Sequence, residues 1–119
     1  MSPSYIKKYK IVVFVPPDKA DSISFAMASA GAGVIGNYTV CSFRTKGTGT
    51  FKGGEDSSPS VGKKGRFEKV SEIRLEMICS KEKLDSAIGE MLKVHPYEEP
   101  AYEIYEVIVW KRKRVKKAK

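Results

Sequence analysis

The residues best suited to chemistry sit in one short run, His95-Pro96-Tyr97-Glu98-Glu99-Pro100. An imidazole beside two carboxylates is a mixed nitrogen and oxygen donor set, the kind that holds a divalent cation. His95, Glu98 and Glu99 are therefore the candidate metal ligands, and a divalent metal is the candidate cofactor. His95 is also the only histidine of the chain. Zinc sites recruit several His or Cys ligands, and a hydrolytic dinuclear centre needs more donors still. A histidine that closes the end of a helix is the preferred reading.

A second candidate is the run Thr45 to Phe51, in which Gly47 and Gly49 stand among threonines. Successive glycine N–H groups in a turn form a concave nest for an anion. Thr45, Gly47, Thr48, Gly49 and Thr50, together with Tyr97, are the candidate ligand-binding residues. The run lacks the G-K-[ST] ending of a phosphate-binding loop, and a plain hairpin tip is the competing reading.

Gly31-Ala32-Gly33-Val34-Ile35-Gly36 matches G-x-G-x-x-G letter for letter. The dinucleotide fingerprint must follow a strand and open a helix, because the pyrophosphate rests on the helix N-terminus. Here the run closes a helix and leads into a strand, so it is rejected as a cofactor loop. No Ser-His-Asp or Cys-His arrangement is visible, and a non-catalytic role is expected.

The charge balance, 22 basic against 14 acidic residues for a net +8, invites a nucleic-acid reading. Seven of those basic side chains crowd into the last nine residues, from Lys111, Arg112, Lys113 and Arg114 to Lys119. Without them, 15 basic residues face 14 acidic ones. A block of like charges repels itself, so residues 111–119 are expected to form a disordered tail. Such a tail can touch nucleic acid or an anionic surface weakly and in a salt-dependent way, and tail-mediated nucleic-acid association is the alternative function. The body itself is nearly neutral.

Cys41 and Cys79 lie in apolar segments without metal-ligand spacing and read as small core hydrophobes. The first ten residues lack the apolar stretch of a signal peptide, and no apolar run nears the ~20 residues of a membrane span. Cytoplasm is the expected compartment.

These residues need positioning elements. One domain over residues 1–110 fits a chain of 119 residues. Residues 8–15 form a β-branched and aromatic run, a strand buried on both faces. Pro16 and Pro17 end it, Asp18 caps the next helix, and Ile23, Ala26, Met27 and Ala30 form that helix's apolar face. A second strand is expected over 38–44. A glycine-rich loop is expected over 45–65, holding six of the ten glycines. Residues 66–79 alternate as a half-buried strand. Ser80 caps a second helix carrying Leu84, Ala87, Ile88, Met91 and Leu92, which His95 and Pro96 close. Residues 102–110 make the last strand. The order β-α-β-β-α-β predicts an α+β, ferredoxin-like sandwich with both helices on one sheet face. The other face, with Tyr105, Val107 and Val109 or their alternates, is left bare and calls for self-association.

Two segments carry a family resemblance. One runs Ala30-Gly31-Ala32-Gly33-Val34-Ile35-Gly36-Asn37-Tyr38, then Cys41-Ser42-Phe43-Arg44 to Gly47-Thr48-Gly49-Thr50-Phe51. The other is His95-Pro96-Tyr97-Glu98-Glu99-Pro100-Ala101-Tyr102-Glu103-Ile104-Tyr105. Together they resemble the domain inserted in YqfO-type proteins of the NGG-interacting-factor family, over roughly residues 8 to 108. The resemblance implies a CutA/PII-like domain whose protomers pack their sheets around a threefold axis, with sites between subunits. It thereby implies a homotrimer binding a small anion, a metal ion or a partner protein, with the Gly47–Phe51 and His95–Glu99 segments in play. Full-length relatives imply a metal-dependent hydrolase as a further alternative, through a separate metal-binding portion that has no counterpart in these residues. Chains of this type sometimes carry a structural-toxin (RTX) label, but the G-G-x-G-x-D repeats of RTX proteins are absent. The sequence departs from the family pattern at Lys52-Gly53-Gly54-Glu55-Asp56-Ser57-Ser58-Pro59, where an apolar, proline-containing loop is usual.

Overall fold

The computed structural model describes residues 4–111. The first strand, β1 (Tyr5–Val15), begins three residues before the expected start. Pro17 opens a single 3₁₀ turn (Pro17–Lys19), which leads into α1 (Ala20–Ser29). Asp18 lies inside that turn rather than capping the helix. Lys19 takes the N-cap position, without a side-chain cap bond. A proline with φ fixed near the helical value starts the chain turning one residue early. The second helix, α2 (Lys81–Val94), has Ser80 at its N-cap with an extended backbone, although the hydroxyl makes no cap bond. At its other end the His95 N–H donates to Met91 O at 3.0 Å.

Three further strands, β2 (Phe43–Lys52), β3 (Phe67–Cys79) and β4 (Tyr102–Trp110), complete one antiparallel sheet in the order β2-β3-β1-β4. Both helices lie on one face, giving the α+β, ferredoxin-like sandwich expected from periodicity. Ile11, Val13 and Val15 of β1 stand opposite Met77, Leu75 and Ile73 of β3. Ile23 and Met27 of α1 and Ala87 and Met91 of α2 close over them. Each large aliphatic side chain so buried contributes about 1.5–3 kcal/mol. Arg44 on β2 pins α1, with Nη1 on Asp21 Oδ1 at 2.7 Å and Nη2 on the buried Ser24 Oγ at 3.0 Å.

The helix-free face is less apolar than expected. Tyr105, Val107 and Val109 do lie there, in register with Lys10, Lys8 and Ile6. Beside them are Glu72, Arg74 and Glu76 of β3, and the Arg74 guanidinium sits 5.8 Å from the Phe14 ring centre. The Arg74 pKa is held up, chiefly by the Tyr105 side chain and also by Glu76.

The second strand is displaced from its expected position over 38–44. Ile35 and Tyr38 bond to each other across a tight turn, and the Cys41 N–H donates to Gly33 O at 2.8 Å. Val40 adopts a left-handed φ of 56°, which breaks the extended run. Gly33 itself has a φ of 77°, and a Cβ there would meet Met77 Cε at 2.7 Å and Cys41 O at 2.8 Å. The G-x-G-x-x-G run thus closes α1 and docks its backbone on β3, through Gly33 N–H to Ile78 O at 2.7 Å. The strand forms instead from Phe43 to Lys52, so the loop is confined to residues 53–66.

The sheet is sheared. Tyr5 to Lys8 pair only with β4, and Phe67 to Glu72 pair only with β2. Each end therefore projects as a two-stranded wing past the helices. The longest dimension is 56 Å, and the Cα radius of gyration of 17.0 Å exceeds the ~13–14 Å expected for a compact domain of this size. On the β1/β4 wing Ile108 and Trp110 are 64% and 66% exposed.

Candidate functional site

Where the β2/β3 wing leaves the body, it meets the turn after α2, and a cavity of about 380 Å³ opens between them. Gly49 to Gly53, Ser57, Pro59, Ser60 and Val61 line one side. Glu72, Tyr97, Glu98, Glu99 and Ala101 line the other. The volume lies within the range of small-molecule sites, about 300–1,000 Å³.

Each wall has a local cause. Ser57 N–H and Oγ both bond to Gly54 O, and Gly65 N–H donates to Gly53 O at 2.7 Å, which folds the 53–66 loop back on itself. Glu68 accepts from the Lys63 N–H and from Arg66 Nε, each at 2.9 Å. Those bonds hold its carboxyl below the usual carboxylate range, the Lys63 bond most of all. Ser58 N–H donates to Glu98 Oε1 at 2.8 Å, tying the loop to the turn.

His95 sets the turn. Its ring is buried, its Nδ1 accepts from the Tyr97 N–H at 3.2 Å, and its Nε2 lies 2.8 Å from Phe14 O. A carbonyl only accepts, so Nε2 carries the proton and Nδ1 the lone pair. Both nitrogens are engaged in joining the turn to β1. The Tyr97 ring packs against the imidazole at 4.9 Å between centres. Burial pushes the Tyr97 phenol up to about 12, and the neighbouring Glu72 carboxylate adds to the effect.

Glu72 reaches the cavity because Gly49 lets it. A Cβ on Gly49 would overlap Glu72 Oε1, so the carboxylate lies across the bare glycine backbone. No Lys or Arg nitrogen comes within 4 Å of Glu72 among the described residues.

The candidate ligand-binding residues therefore divide. Gly49, Thr50 and Tyr97 line the 380 Å³ cavity. Thr45, Gly47 and Thr48 line an adjoining shallow hollow of about 270 Å³ with Phe14, Glu72 and Arg74. None of the five β2 positions forms a turn nest, because all are extended and paired with β3. The metal candidates also separate. Glu98 and Glu99 face the cavity while both His95 nitrogens are spent, and no three His, Cys, Asp or Glu side chains converge as metal donors among the described residues. Of the nucleic-acid candidates, Lys111 bonds through its N–H to Ser4 O, and Arg112, Lys113 and Arg114 lie outside the described residues. Sequence reasoning missed Glu72 and Val61, while Phe51 ended the candidate run Thr45 to Phe51. The signal for Glu72 was its place opposite two glycines, visible only once β2 is known to be a strand.

No family model matches the chain. Curated relatives do. A protein of Halalkalibacterium halodurans named GTP cyclohydrolase 1 type 2 homolog is 48% identical over 97 residues, covering 82% of this chain and 26% of that protein. Its namesake in Bacillus subtilis is 40% identical over 108 residues, covering 90% of this chain and 29% of that protein. Among solved structures, a Bacillus cereus protein related to NIF3 superposes with a TM-score of 0.75 at 38% identity, over 90% of this chain and 27% of that one. The chain corresponds to the CutA/PII-like domain of the NIF3-related proteins. CutA from Synechococcus elongatus, at 17% identity, shares the fold with a TM-score of 0.65 over 88% of this chain and 83% of that one. The chain spans about a quarter of the length of the curated relatives it matches. Among the described residues no helix is long and apolar enough to cross a membrane.

Proposed function

We propose that this CutA/PII-like domain is a non-catalytic, homotrimeric module that holds a small ligand at the root of its β2/β3 wing. The observation that carries the reading is the sheared sheet. A two-stranded ribbon standing alone is marginal in water, yet this domain extends one at each end. Its two edge strands, β2 and β4, are of similar length, 10 and 9 residues. Pairing β2 of one copy with β4 of the next is a heterologous contact, which gives a ring when the rotation between copies closes and a filament when it does not. Three copies would cover both wings and turn the helix-free faces inward.

In that proposed arrangement a neighbouring wing passes beside the Tyr97 cavity, and the assembly rather than the single chain completes the site. The relatives' name points to a cyclohydrolase-like whole, of which this domain is proposed as the part that assembles and binds rather than the part that reacts. Two free thiols, Cys41 and Cys79, suit a cytoplasmic setting. Size-exclusion chromatography with light scattering tests the reading: a trimer is expected at micromolar concentration, and a monomer there refutes it.

A further inference from the structure

We infer that the cavity at the wing root takes a cationic ligand with a flat apolar body, an amidinium or guanidinium group carried on a ring. The inference rests on the proposed reading of the cavity as a binding site and gives it a ligand class, opposite in sign to the anion expected from the glycine-threonine run.

The charge on the walls sets the sign. Three carboxylates, Glu72, Glu98 and Glu99, share the lining with one ammonium, Lys52. Asp18 adds its field at the Tyr97 phenol. An anion entering here would meet like charge, and the Ser57 and Ser58 N–H groups on the loop side already donate to Gly54 O and Glu98 Oε1.

The apolar part of the lining sets the shape. Phe51, Pro59, Val61, Ala101 and the Tyr97 ring stand among the lining residues, and a planar group can stack on aromatic faces. Glu72 supplies the recognition. It is half-buried and has no ion partner among the described residues, and Gly49 keeps its carboxylate against the cavity wall instead of in solvent. A carboxylate accepts two parallel N–H bonds from an amidinium or guanidinium, a pairing an ammonium cannot reproduce. Glu98 already accepts the Ser58 N–H at Oε1, which leaves Glu72 as the principal acceptor.

The test is an NMR titration of the full chain with two probes of the same size, benzamidine and benzoate, repeated in Glu72→Gln and Glu99→Gln. Benzamidine is expected to move the Gly49, Val61 and Tyr97 amide signals saturably, and benzoate to leave them in place. Glu72→Gln should weaken benzamidine about tenfold, since a charge-assisted bidentate contact is lost. Glu99→Gln should weaken it less. Benzoate saturating the same signals would leave the cavity a binding site and overturn its cationic class. Benzamidine binding unchanged in Glu72→Gln would overturn the assigned recognition. Neither probe moving the three signals would overturn both the cavity and its ligand class.

Discussion

The Glu72 side chain lies across the backbone of Gly49, so closely that a single added methyl on the glycine would occupy the position of a carboxylate oxygen. The two residues belong to neighbouring strands, and Glu72 is in register with Gly47, two positions away. The carboxylate thus leans diagonally over the strand toward the cavity and the Tyr97 ring. A glycine two residues along, Gly47, has open space where its Cβ would be.

That contrast makes a paired prediction. Gly47→Ala and Gly49→Ala should each change stability by no more than about 0.5–1 kcal/mol, because alanine suits a strand better than glycine and the Glu72 carboxylate can swing aside. Only Gly49→Ala should push Glu72 away from Tyr97 and lower the Tyr97 phenol pKa. Urea unfolding with ultraviolet titration of the phenol distinguishes them.

The Tyr97 phenol also gives a pH dependence. Its pKa rises from 10.0 in the free side chain to about 12 in the folded protein, first through burial and then through Glu72. Between about pH 10 and 12 the unfolded chain therefore releases a proton that the folded protein keeps. Folding stability is therefore at its full value below about pH 10 and is lost progressively as pH rises through that window. Tyr97→Phe should flatten the alkaline limb of a stability-against-pH curve measured by urea unfolding.

His95 is predicted to be structural. Replacing it with alanine leaves Phe14 O and the Tyr97 N–H without their partners, and should cost about 1–3 kcal/mol. His95→Gln, whose amide can still donate toward Phe14 O, should recover part of that loss. If the imidazole served a metal instead, both substitutions would lower the metal content of the purified protein alike, and glutamine would recover none of the lost stability.

The elements were legible where a single periodicity or breaker decides. The Ile11 to Val15 run, the Leu84 to Met91 stripe and the Ile73 to Cys79 alternation all gave their elements directly, and from them the order of the sandwich. The second strand was not legible. Its residues Thr45 to Lys52 carry no alternating apolar pattern, because neither face is covered by a helix, and glycines within a strand look like a loop until the partner strand is known. The site divided in the same way. Tyr97, Gly49 and Thr50 were marked by composition. Glu72 could not be, since its role comes from a cross-strand neighbour about two dozen residues away in sequence.

The helix-free face supplies a prediction about assembly. Val107 stands beside Lys8 on that face. In a trimer with its faces turned inward, Val107→Lys buries a second ammonium next to the first and should break the assembly. In an isolated chain the same change is a surface substitution worth about 0.5 kcal/mol or less. Chemical unfolding at two protein concentrations reports the difference, because only an oligomer's stability depends on concentration.

The most direct measurement is the mass of the full chain in solution. Size-exclusion chromatography with light scattering at micromolar concentration should return three times the chain mass of 13.2 kDa. A single peak at 13.2 kDa would contradict the account, because both wings would then stand uncovered in water and the cavity would have no neighbour to complete it.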